Sequence, residues 1–322
     1  MRLVTNKNLR AAVVGVGYLG QFHAEKLAAA PGVELVAVVD ADAARARAVA
    51  AKHGCRALTA PGGLAGEVDL VSIAVPTEHH HAAALPFLEA GVHVLVEKPI
   101  APTLAEADAL IAAARKHRAL LAVGHLQRFN PAFRALAAAF TKPLFIDCER
   151  LSGFKQRGID VDVVLDLMIH DLDLVLSMKP GSEVAGVSAC GFQVLTDSID
   201  IANVRLEFAD GCVANLSASR VSQQPVRKLR AFQHDRYASA DLQAGKLRIV
   251  RRDGQKGGIA EDESAYEDRD ELRAEIANFV AAARGGPPPL VAGEDGRRAL
   301  ALALEVGRLV RARLERFRAV AT

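Results

Sequence analysis

The sequence predicts an α/β protein with a doubly wound parallel sheet, followed by an α+β domain with a large, mostly antiparallel open sheet. Short β-branched segments alternate with Ala-rich helical segments over the first third of the 322 residues, which is typical of parallel strands joined by crossover helices. The later part of the chain changes to alternating segments separated by short polar turns. At roughly 150 residues per domain, the length indicates two domains. We place them at residues 1–125 and 126–322.

Five strands and four helices are predicted in the first domain. The strands are Arg10–Val16, Val33–Asp40, Leu70–Val75, Val92–Glu97 and Leu120–His125. The helices are Leu19–Ala30, Ala43–His53, His80–Ala90 and Thr103–Arg118. Because strand–helix–strand crossovers are right-handed, these elements build one twisted parallel sheet.

The second domain is predicted to contain one main helix and a run of neighbouring antiparallel strands. The helix is Asp162–Met178, and the strands are Val184–Val194, Ile201–Phe208, Cys212–Arg220, Arg227–Gln233 and Lys246–Val250. A charged, Gly-containing loop over Asp253–Asp268 leads to a helix at Glu271–Arg284 and a final helix at Asp295–Arg316. We expect the final helix to pack back toward the first domain.

Composition and charge exclude several classes of partner. The chain has 40 Lys+Arg and 38 Asp+Glu, so its formal charge is +2 and no broad electropositive field for nucleic acid is expected. The longest stretch without Asp, Glu, Lys or Arg, Ala11–Ala24, has fourteen residues and three glycines, too few apolar residues to span a membrane.

The four cysteines and the N-terminal residues predict a cytoplasmic protein. Cys55, Cys148, Cys190 and Cys212 form no CxxC pair and have no His at zinc-finger spacing, so we expect reduced thiols. Residues Met1–Arg10 are polar and charged, and no small-residue cleavage site follows a Leu-rich core.

A glycine-rich turn after the first strand predicts dinucleotide binding. Gly15-Val16-Gly17-Tyr18-Leu19-Gly20 opens a helix, and Asp40 ends the next strand twenty positions after Gly20. The glycines let the helix N-terminus approach a pyrophosphate, and Asp40 can bond both hydroxyls of an adenosine ribose. A carboxylate there repels a 2′-phosphate and favours NAD over NADP, although Arg45 and Arg47 lie close by. The alternative is a glycine-rich turn that binds nothing.

Two further strands end in residues suited to ligand contact, since open α/β sheets bind ligands at the carboxyl ends of their strands. Val75-Pro76-Thr77 follows one strand and Val96-Glu97-Lys98-Pro99 follows another. Lys98 can donate to a ribose hydroxyl and to a substrate oxygen, whereas the alternative is a solvated Lys. His79-His80-His81 predicts no metal site, because consecutive side chains diverge and no carboxylate cluster accompanies them.

Asp166 and His170 form a candidate acid–base pair in the second domain. They are four residues apart on a predicted helix, so they project from one face and can meet. A carboxylate beside an imidazole orients the ring and raises its basicity, as a general base for a hydroxyl requires. The alternative is a pair that satisfies itself structurally. Asp171 and Asp173 are interpreted as structural.

Taken together, these motifs resemble the glucose–fructose oxidoreductase, inositol dehydrogenase and rhizopine-catabolism (GFO/IDH/MocA) family over essentially the whole chain. The motifs are Gly15–Gly20, Pro76–His80, Glu97–Pro99, Gly124–Pro131, Asp166–His170 and Gly293–Gly296. The resemblance implies a Rossmann domain followed by an α/β domain with a large open sheet, with the nicotinamide in an interdomain cleft. The reaction it implies is oxidation of a sugar ring hydroxyl, with hydride transfer to NAD.

The resemblance also implies roles for particular residues. The implied catalytic residues are Lys98, Asp166 and His170. The implied cofactor-binding residues are Gly15, Gly17, Tyr18, Leu19, Gly20, Asp40, Pro76, Thr77, His80, Glu97 and Lys98. Family members often carry glycines just before the Asp, whereas this chain reads Val161-Asp162-Val163-Val164-Leu165, which leaves the shape of the substrate pocket open.

Within the family, Gly124–Pro131 together with Leu165–Leu174 is similar to the nucleotide-sugar branch. The candidate substrate is UDP-N-acetylglucosamine, oxidised at C3 for the amino sugar of lipid A. Arg128 is then a candidate diphosphate contact and Asn130 a sugar or cofactor contact, although Arg128 is equally suited to tie the domain junction.

Other functions stay open from the sequence. They are a dehydrogenase of a free sugar or inositol, an NAD-dependent glycosidase, and a non-enzymatic NAD-binding regulator. The family resemblance implies self-association as a homodimer or homotetramer through the exposed face expected for the second sheet.

Overall fold

Two β-sheets with separate hydrophobic cores form the architecture. The computed structural model describes residues 8–154, 161–253 and 258–321. Among these residues, the first unit comprises 8–126 and 270–297, and the second unit comprises the rest.

The first unit is built on a parallel sheet of six strands. They are β1 (Leu9–Val14), β2 (Val33–Val39), β3 (Arg56–Leu58), β4 (Leu70–Ile73), β5 (His93–Glu97) and β6 (Leu121–Gly124). Their order is β3-β2-β1-β4-β5-β6. Strands β2 and β3 are added on one side of β1, and β4, β5 and β6 on its other side, so the order of addition reverses between β1 and β4. The doubly wound parallel sheet predicted from the sequence is confirmed. A crevice at the carboxyl ends of strands on either side of such a reversal is where open α/β sheets bind ligands.

Helices connect these strands. They are α1 (Gly20–Ala29), α2 (Ala43–His53), α3 (His80–Glu89) and α4 (Leu104–His117). Local chemistry fixes their ends, because the side chains of Asp42 and Thr103 accept N–H groups at the starts of α2 and α4. The short strand β3 was not predicted, since three residues without a fully buried position carry almost no periodic signal.

A helix from late in the chain completes the core of the first unit. This helix is α7 (Glu271–Ala283), and its buried residues Leu272, Ile276 and Phe279 join the same core as Leu27 of α1. Residues 270–297 therefore cluster with the first unit, whereas the sequence analysis placed all of 126–322 in the second domain. The reason is the apolar face of α7, which is buried only when it packs on this core.

The second unit is built on an open sheet of eight strands. They are β7 (Phe145–Leu151), β8 (Val184–Phe192), β9 (Ile201–Phe208), β10 (Val213–Ser219), β11 (Val226–Gln233), β12 (Arg236–Asp241), β13 (Lys246–Asp253) and β14 (Gly258–Ala265). Their order is β14-β13-β12-β11-β7-β10-β9-β8. Among the described strands of this second sheet, only β7 and β10 pair in parallel, so the mostly antiparallel sheet is confirmed.

One face of this sheet is buried under helices. The strands alternate buried and exposed positions, as in β9, and the buried positions share one core with three helices. The helices are α5 (Pro131–Ala139), α6 (Ile169–Met178) and the part of α8 (Gly293–Ala321) that follows residue 297. The opposite face carries charged side chains such as Arg230, which pairs with Asp147 at 2.5 Å.

Three strands of the second sheet, β7, β12 and β14, escaped prediction. The loop predicted over Asp253–Asp268 contains β14, and its residues 254–257 lie outside the described residues. Charged side chains predicted a loop, but this edge strand is exposed on both faces and pairs with β13, helped by Arg251–Asp262 at 2.8 Å. Charges on an edge strand are ordinary, because they discourage pairing with another chain.

Two further findings concern the membrane and the cysteines. Within the part of the chain described, no helix combines the length and apolarity needed to cross a bilayer. All four cysteines are free thiols; Cys148 and Cys212 are buried, and Cys55 and Cys190 are partly exposed.

Glu275 of α7 is a buried acid in the core of the first unit. It is 2% exposed, and within the described residues neither carboxyl oxygen has a hydrogen-bond partner. Burial raises the pKa of Glu275 well above its ordinary value, and the neighbouring charge of Glu97 raises it further. The protonated form of Glu275 is therefore favoured more strongly than that of an exposed glutamate.

The free energy of unfolding of the Glu275→Gln variant should rise relative to that of wild type as the pH rises. The unfolded chain loses this proton near the ordinary value of 4.5, whereas the folded protein retains it to higher pH. The wild-type free energy of unfolding therefore falls above that pH, by up to about 1.4 kcal/mol per pH unit for this group. Urea unfolding of wild type and Glu275→Gln between about pH 5 and about pH 8 measures the difference. Exposed Glu89→Gln is the control, and a difference independent of pH would contradict the prediction.

Candidate active site

Close backbone contacts shape the glycine turn between β1 and α1. Gly15 has φ +84°, and a Cβ at this position would lie 2.7 Å from the backbone of Ala74 after β4. A Cβ on Gly20 would lie only 1.8 Å from the carbonyl oxygen of Gly15. Both positions therefore require glycine for the turn to form at all.

Gly17 differs from the other two glycines because it faces open space. A Cβ built on it would meet nothing within 4 Å among the described residues. Tyr18 beside it is exposed, Leu19 is partly exposed, and no acidic residue stands in the first turn of α1. The turn thus offers an uncovered backbone at a helix N-terminus, which fits a dinucleotide pyrophosphate.

Asp40 stands beside this turn at the end of β2. Its carboxylate accepts the N–H groups of Val16 at 3.0 Å and Asp42 at 2.9 Å. The Arg45 guanidinium lies 3.2 and 3.3 Å from its two oxygens. Arg45 also lines a groove with Val16, Gly17, Tyr18 and Gln21. Asp40, which is predicted to bind the adenosine ribose, therefore lies next to the glycine turn. Its carboxylate is also in contact with the Arg45 guanidinium.

The turn after β4 places Pro76 and Thr77 at the surface and buries His80. The His80 ring is 1% exposed, with Nδ1 2.8 Å from the Pro99 carbonyl and Nε2 3.0 Å from the Val75 carbonyl. Burial lowers the pKa of His80, so the ring is neutral and its single N–H donates to one carbonyl at a time. The His80 side chain therefore joins two loops inside the unit, and its contact with a cofactor stays a prediction.

The turn after β5 exposes Lys98 and buries Glu97. One Glu97 oxygen lies 3.0 Å from Nε2 of His23, and the other accepts the backbone N–H of Lys98 at 3.2 Å. The Glu97 side chain is thus held by protein groups, and its role as a cofactor-binding residue stays a prediction. Lys98 itself is partly exposed in the first unit.

Asp166 and His170 lie in the second unit on a helical segment that begins irregularly. Asp162 accepts the N–H groups of Val164 at 3.1 Å and Leu165 at 3.0 Å, a single π-turn spans Val164–Met168, and α6 follows. The sequence predicted a regular helix, but the wider turn contains Asp166. Single π-turns inside helices are frequent at functional sites. Both Asp166 and His170 are partly exposed.

Two ion pairs anchor α6 directly after His170. Asp171 binds Arg150 of β7 through two hydrogen bonds of 2.8 and 2.7 Å, and both side chains are buried. Asp173 pairs with Arg128 at 3.2 Å. The structural roles predicted for Asp171 and Asp173 are confirmed. Removing one partner of such a buried pair costs about 3–5 kcal/mol, so α6 is firmly held.

Asn130 caps a helix in the second unit. Its side chain is fully buried, and its oxygen accepts the N–H groups of Ala132 and Phe133 at the start of α5. Its amide nitrogen donates to the Leu242 carbonyl at 3.0 Å. Asn130 therefore also ties α5 to the loop after β12, and its sugar or cofactor contact stays a prediction.

The residues that support the candidate site were not predicted from the sequence. His23 contacts both Ser72 and Glu97, and Arg150 holds Asp171. The partners are 21 to 74 positions apart in sequence, so no local pattern joins them. A His on the buried face of α1, three residues after Gly20, is the one available signal.

The six-strand order, the glycine turn and Asp40 define a dinucleotide-binding protein of the Rossmann class. Residues 9–125 match the family model described as "Oxidoreductase family, NAD-binding Rossmann fold". Along the chain as a whole, 43% identity relates it to UDP-N-acetylglucosamine 3-dehydrogenase of Acidithiobacillus ferrooxidans over 314 residues, covering 96% of this chain and 99% of that protein. The chain belongs to the GFO/IDH/MocA family of oxidoreductases.

Solved structures agree with this assignment. That of UDP-N-acetylglucosamine 3-dehydrogenase from Acidithiobacillus ferrooxidans has a TM-score of 0.89, with 95% of this chain and 98% of that chain covered. A probable dehydrogenase from Thermotoga maritima has a TM-score of 0.81 at 27% identity, with 95% and 97% covered. Myo-inositol 2-dehydrogenase of Thermotoga maritima is more distant, at 28% identity over 91% of this chain and 94% of that protein.

Gly17 and Gly20 should respond differently to alanine. Gly17→Ala fits the protein without a clash, so we expect an unchanged melting temperature and weaker NADH binding, because the methyl group occupies the side from which a pyrophosphate approaches. Gly20→Ala should lower both the melting temperature and NADH affinity, since its methyl group meets the Gly15 carbonyl. Thermal melts and NADH fluorescence titrations measure the two effects. Undiminished NADH affinity in Gly17→Ala would contradict pyrophosphate binding at the glycine turn.

Proposed function

We propose that this protein is an NAD-dependent dehydrogenase that oxidises a ring hydroxyl of a nucleotide sugar, at C3 of UDP-N-acetylglucosamine. The 43% identity to UDP-N-acetylglucosamine 3-dehydrogenase carries this proposal, because it extends over 96% of this chain and 99% of that protein. Similarity that extends through both units supports a shared substrate class as well as a shared fold.

The chemistry divides between the cofactor and three side chains. NAD supplies the hydride acceptor when bound. His170 accepts the proton of the reacting hydroxyl, and Asp166 orients its imidazole. Lys98 donates a hydrogen bond to a substrate oxygen and stabilises negative charge that develops there. These roles use the ordinary chemistry of an imidazole, a carboxylate and an ammonium group.

Arg128 is proposed to bind the diphosphate of the substrate. Its guanidinium contacts Asp173 of α6 at 3.2 Å, and Asp173 lies three residues after His170. Residues three apart on a helix are neighbours, so Arg128 is fixed close to the helical turn that carries the proposed base. A guanidinium offers five N–H donors, which suits bidentate contact with phosphate oxygens.

Compartment and assembly belong to the same proposal. We propose a cytoplasmic enzyme, for which free thiols are the usual state of cysteine. We also propose a homodimer or homotetramer formed through the second sheet. Helices cover one face of this sheet, and the uncovered face is suited to symmetric contact with another copy.

Oxidation of UDP-N-acetylglucosamine should depend on Lys98 and His170. NADH formation, followed by absorbance, should occur with wild type, while Lys98→Met and His170→Asn lose about 10²- to 10⁴-fold in kcat. NADH binding should survive in His170→Asn, since the imidazole is proposed to act on the substrate.

The substrate panel decides between the alternatives. Myo-inositol and free glucose are tested beside the nucleotide sugar, and preference for either would overturn the nucleotide-sugar proposal. Release of a leaving group without net NADH would indicate an NAD-dependent glycosidase. Tight NADH binding without turnover of any substrate would favour a regulator.

The preference for NAD over NADP rests on Asp40. Its buried carboxylate stands next to the glycine turn, where it favours ribose hydroxyls and repels a 2′-phosphate. Arg45 weakens this repulsion, because its guanidinium lies 3.2 Å from the same carboxylate. We therefore propose NAD as the cofactor, with measurable use of NADP.

Replacing Asp40 by Ala should reverse part of this preference. We expect a lower kcat/KM with NAD and an equal or higher kcat/KM with NADP, because a ribose ligand and a repulsive charge are lost together. Asp42→Ala is the matched control, since its carboxylate caps α2 and should affect stability more than selectivity. Equal losses with both cofactors in Asp40→Ala would remove the assignment.

A further inference from the structure

A buried hydrogen-bond network in the first unit ends at the backbone of Lys98. His23 of α1 is completely buried, with Nδ1 2.8 Å from Oγ of Ser72 in β4 and Nε2 3.0 Å from Oε1 of Glu97 in β5. The second Glu97 oxygen accepts the Lys98 backbone N–H at 3.2 Å. One imidazole therefore joins a helix to two neighbouring strands of the sheet.

The donors and acceptors of this hydrogen-bond network match in one arrangement. A carboxylate only accepts, so Nε2 must donate to Glu97, and Nδ1 then accepts from the Ser72 hydroxyl. The order Ser, His and acid is that of hydrolases with a nucleophilic serine. Here Ser72 is 1% exposed and its strand is flanked by β1 and β5, so no substrate reaches it. The chain of bonds must act inside the protein.

Space around Glu97 is also restricted to this arrangement. A Cβ on Gly124 at the end of β6 would lie 2.8 to 3.0 Å from the Glu97 carboxyl group. Gly124 thus provides the room that the carboxylate occupies. Because the neighbouring strand and His23 both confine it, the carboxylate has one position, and the N–H of Lys98 is fixed by that position.

We propose that His23 and Glu97 are positioning residues that hold the Lys98 turn against the helix of the glycine turn. This proposal rests on the catalytic role proposed for Lys98. His23 lies on α1, which begins at Gly20, and Glu97 directly precedes Lys98. The pair therefore couples the element that binds the cofactor pyrophosphate to the residue that polarises the substrate oxygen.

Three substitutions test the pair. His23→Leu removes both hydrogen bonds at similar volume, His23→Gln retains a side-chain N–H in place of Nε2, and Ser72→Ala removes only the hydroxyl that fixes the ring. We expect kcat to fall by about 10- to 100-fold in His23→Leu, because displacement of a catalytic group by about 1 Å can cost this much. His23→Gln should recover most of the loss, and Ser72→Ala should show a smaller loss.

The readouts separate positioning from simple destabilisation. NADH affinity should change far less than kcat, because the glycine turn itself is untouched. His93→Leu is the matched control: His93 begins the same strand, where its Nδ1 accepts the Leu120 N–H at 3.0 Å, and its loss should lower the melting temperature without lowering kcat. Hydrogen exchange of the Lys98 amide should accelerate in His23→Leu and stay slow in His93→Leu.

Each outcome decides the proposal. A lower kcat with retained NADH binding, faster exchange at Lys98 and rescue by Gln supports it. Unchanged kcat in folded His23→Leu overturns it, as does a parallel loss of NADH binding, kcat and melting temperature in both Leu and Gln variants. If wild type turns over no substrate, the proposed function fails by itself. Exchange at Lys98 then decides alone, and an unchanged rate in His23→Leu overturns the positioning role.

Discussion

An acidic side chain that is buried in either unit needs an opposite charge or a hydrogen-bond donor beside it. Removing an ionised group from water otherwise costs several kcal/mol. Glu97 is met by His23 and by a backbone N–H, and Asp171 is met by both arms of Arg150. In each unit the buried acid is adjacent in sequence to a proposed catalytic residue, Lys98 or His170. Fixing the acid therefore fixes the backbone from which the functional side chain projects.

Because the buried acid is next to the functional residue, elements far apart in sequence contact the same short turn in each unit. The partners come from distant elements: α1 supplies the donor for Glu97, and β7 supplies the guanidinium for Asp171. His80 adds a link between the turns after β4 and β5 through the carbonyls of Val75 and Pro99. A functional turn held by several separate elements keeps its geometry when any one of them fluctuates, which is what preorganised charge stabilisation requires.

The sequence predicted those features that are local and missed those that depend on exposure or on distant partners. The glycine turn and Asp40 lie within one strand–helix–strand unit, so their pattern was sufficient for a correct dinucleotide-binding prediction. The burial of the His80 and Asn130 side chains was not predicted, because residue type and position in a motif carry no information about burial. Strand β14 was missed because its polar residues face solvent on both sides, which removes the alternation by which strands are recognised.

The two buried glutamates of the first unit show how the fold distributes hydrogen-bond donors next to Lys98. Burial, together with the neighbouring charge of Glu97, raises the pKa of Glu275. Within the described residues neither Glu275 oxygen has a hydrogen-bond partner. Glu97 differs, because His23 and the Lys98 backbone N–H both contact its carboxyl group. A buried carboxylate is stabilised by the hydrogen bonds it accepts, so the fold places the donors around the acid that directly precedes Lys98 and not around Glu275.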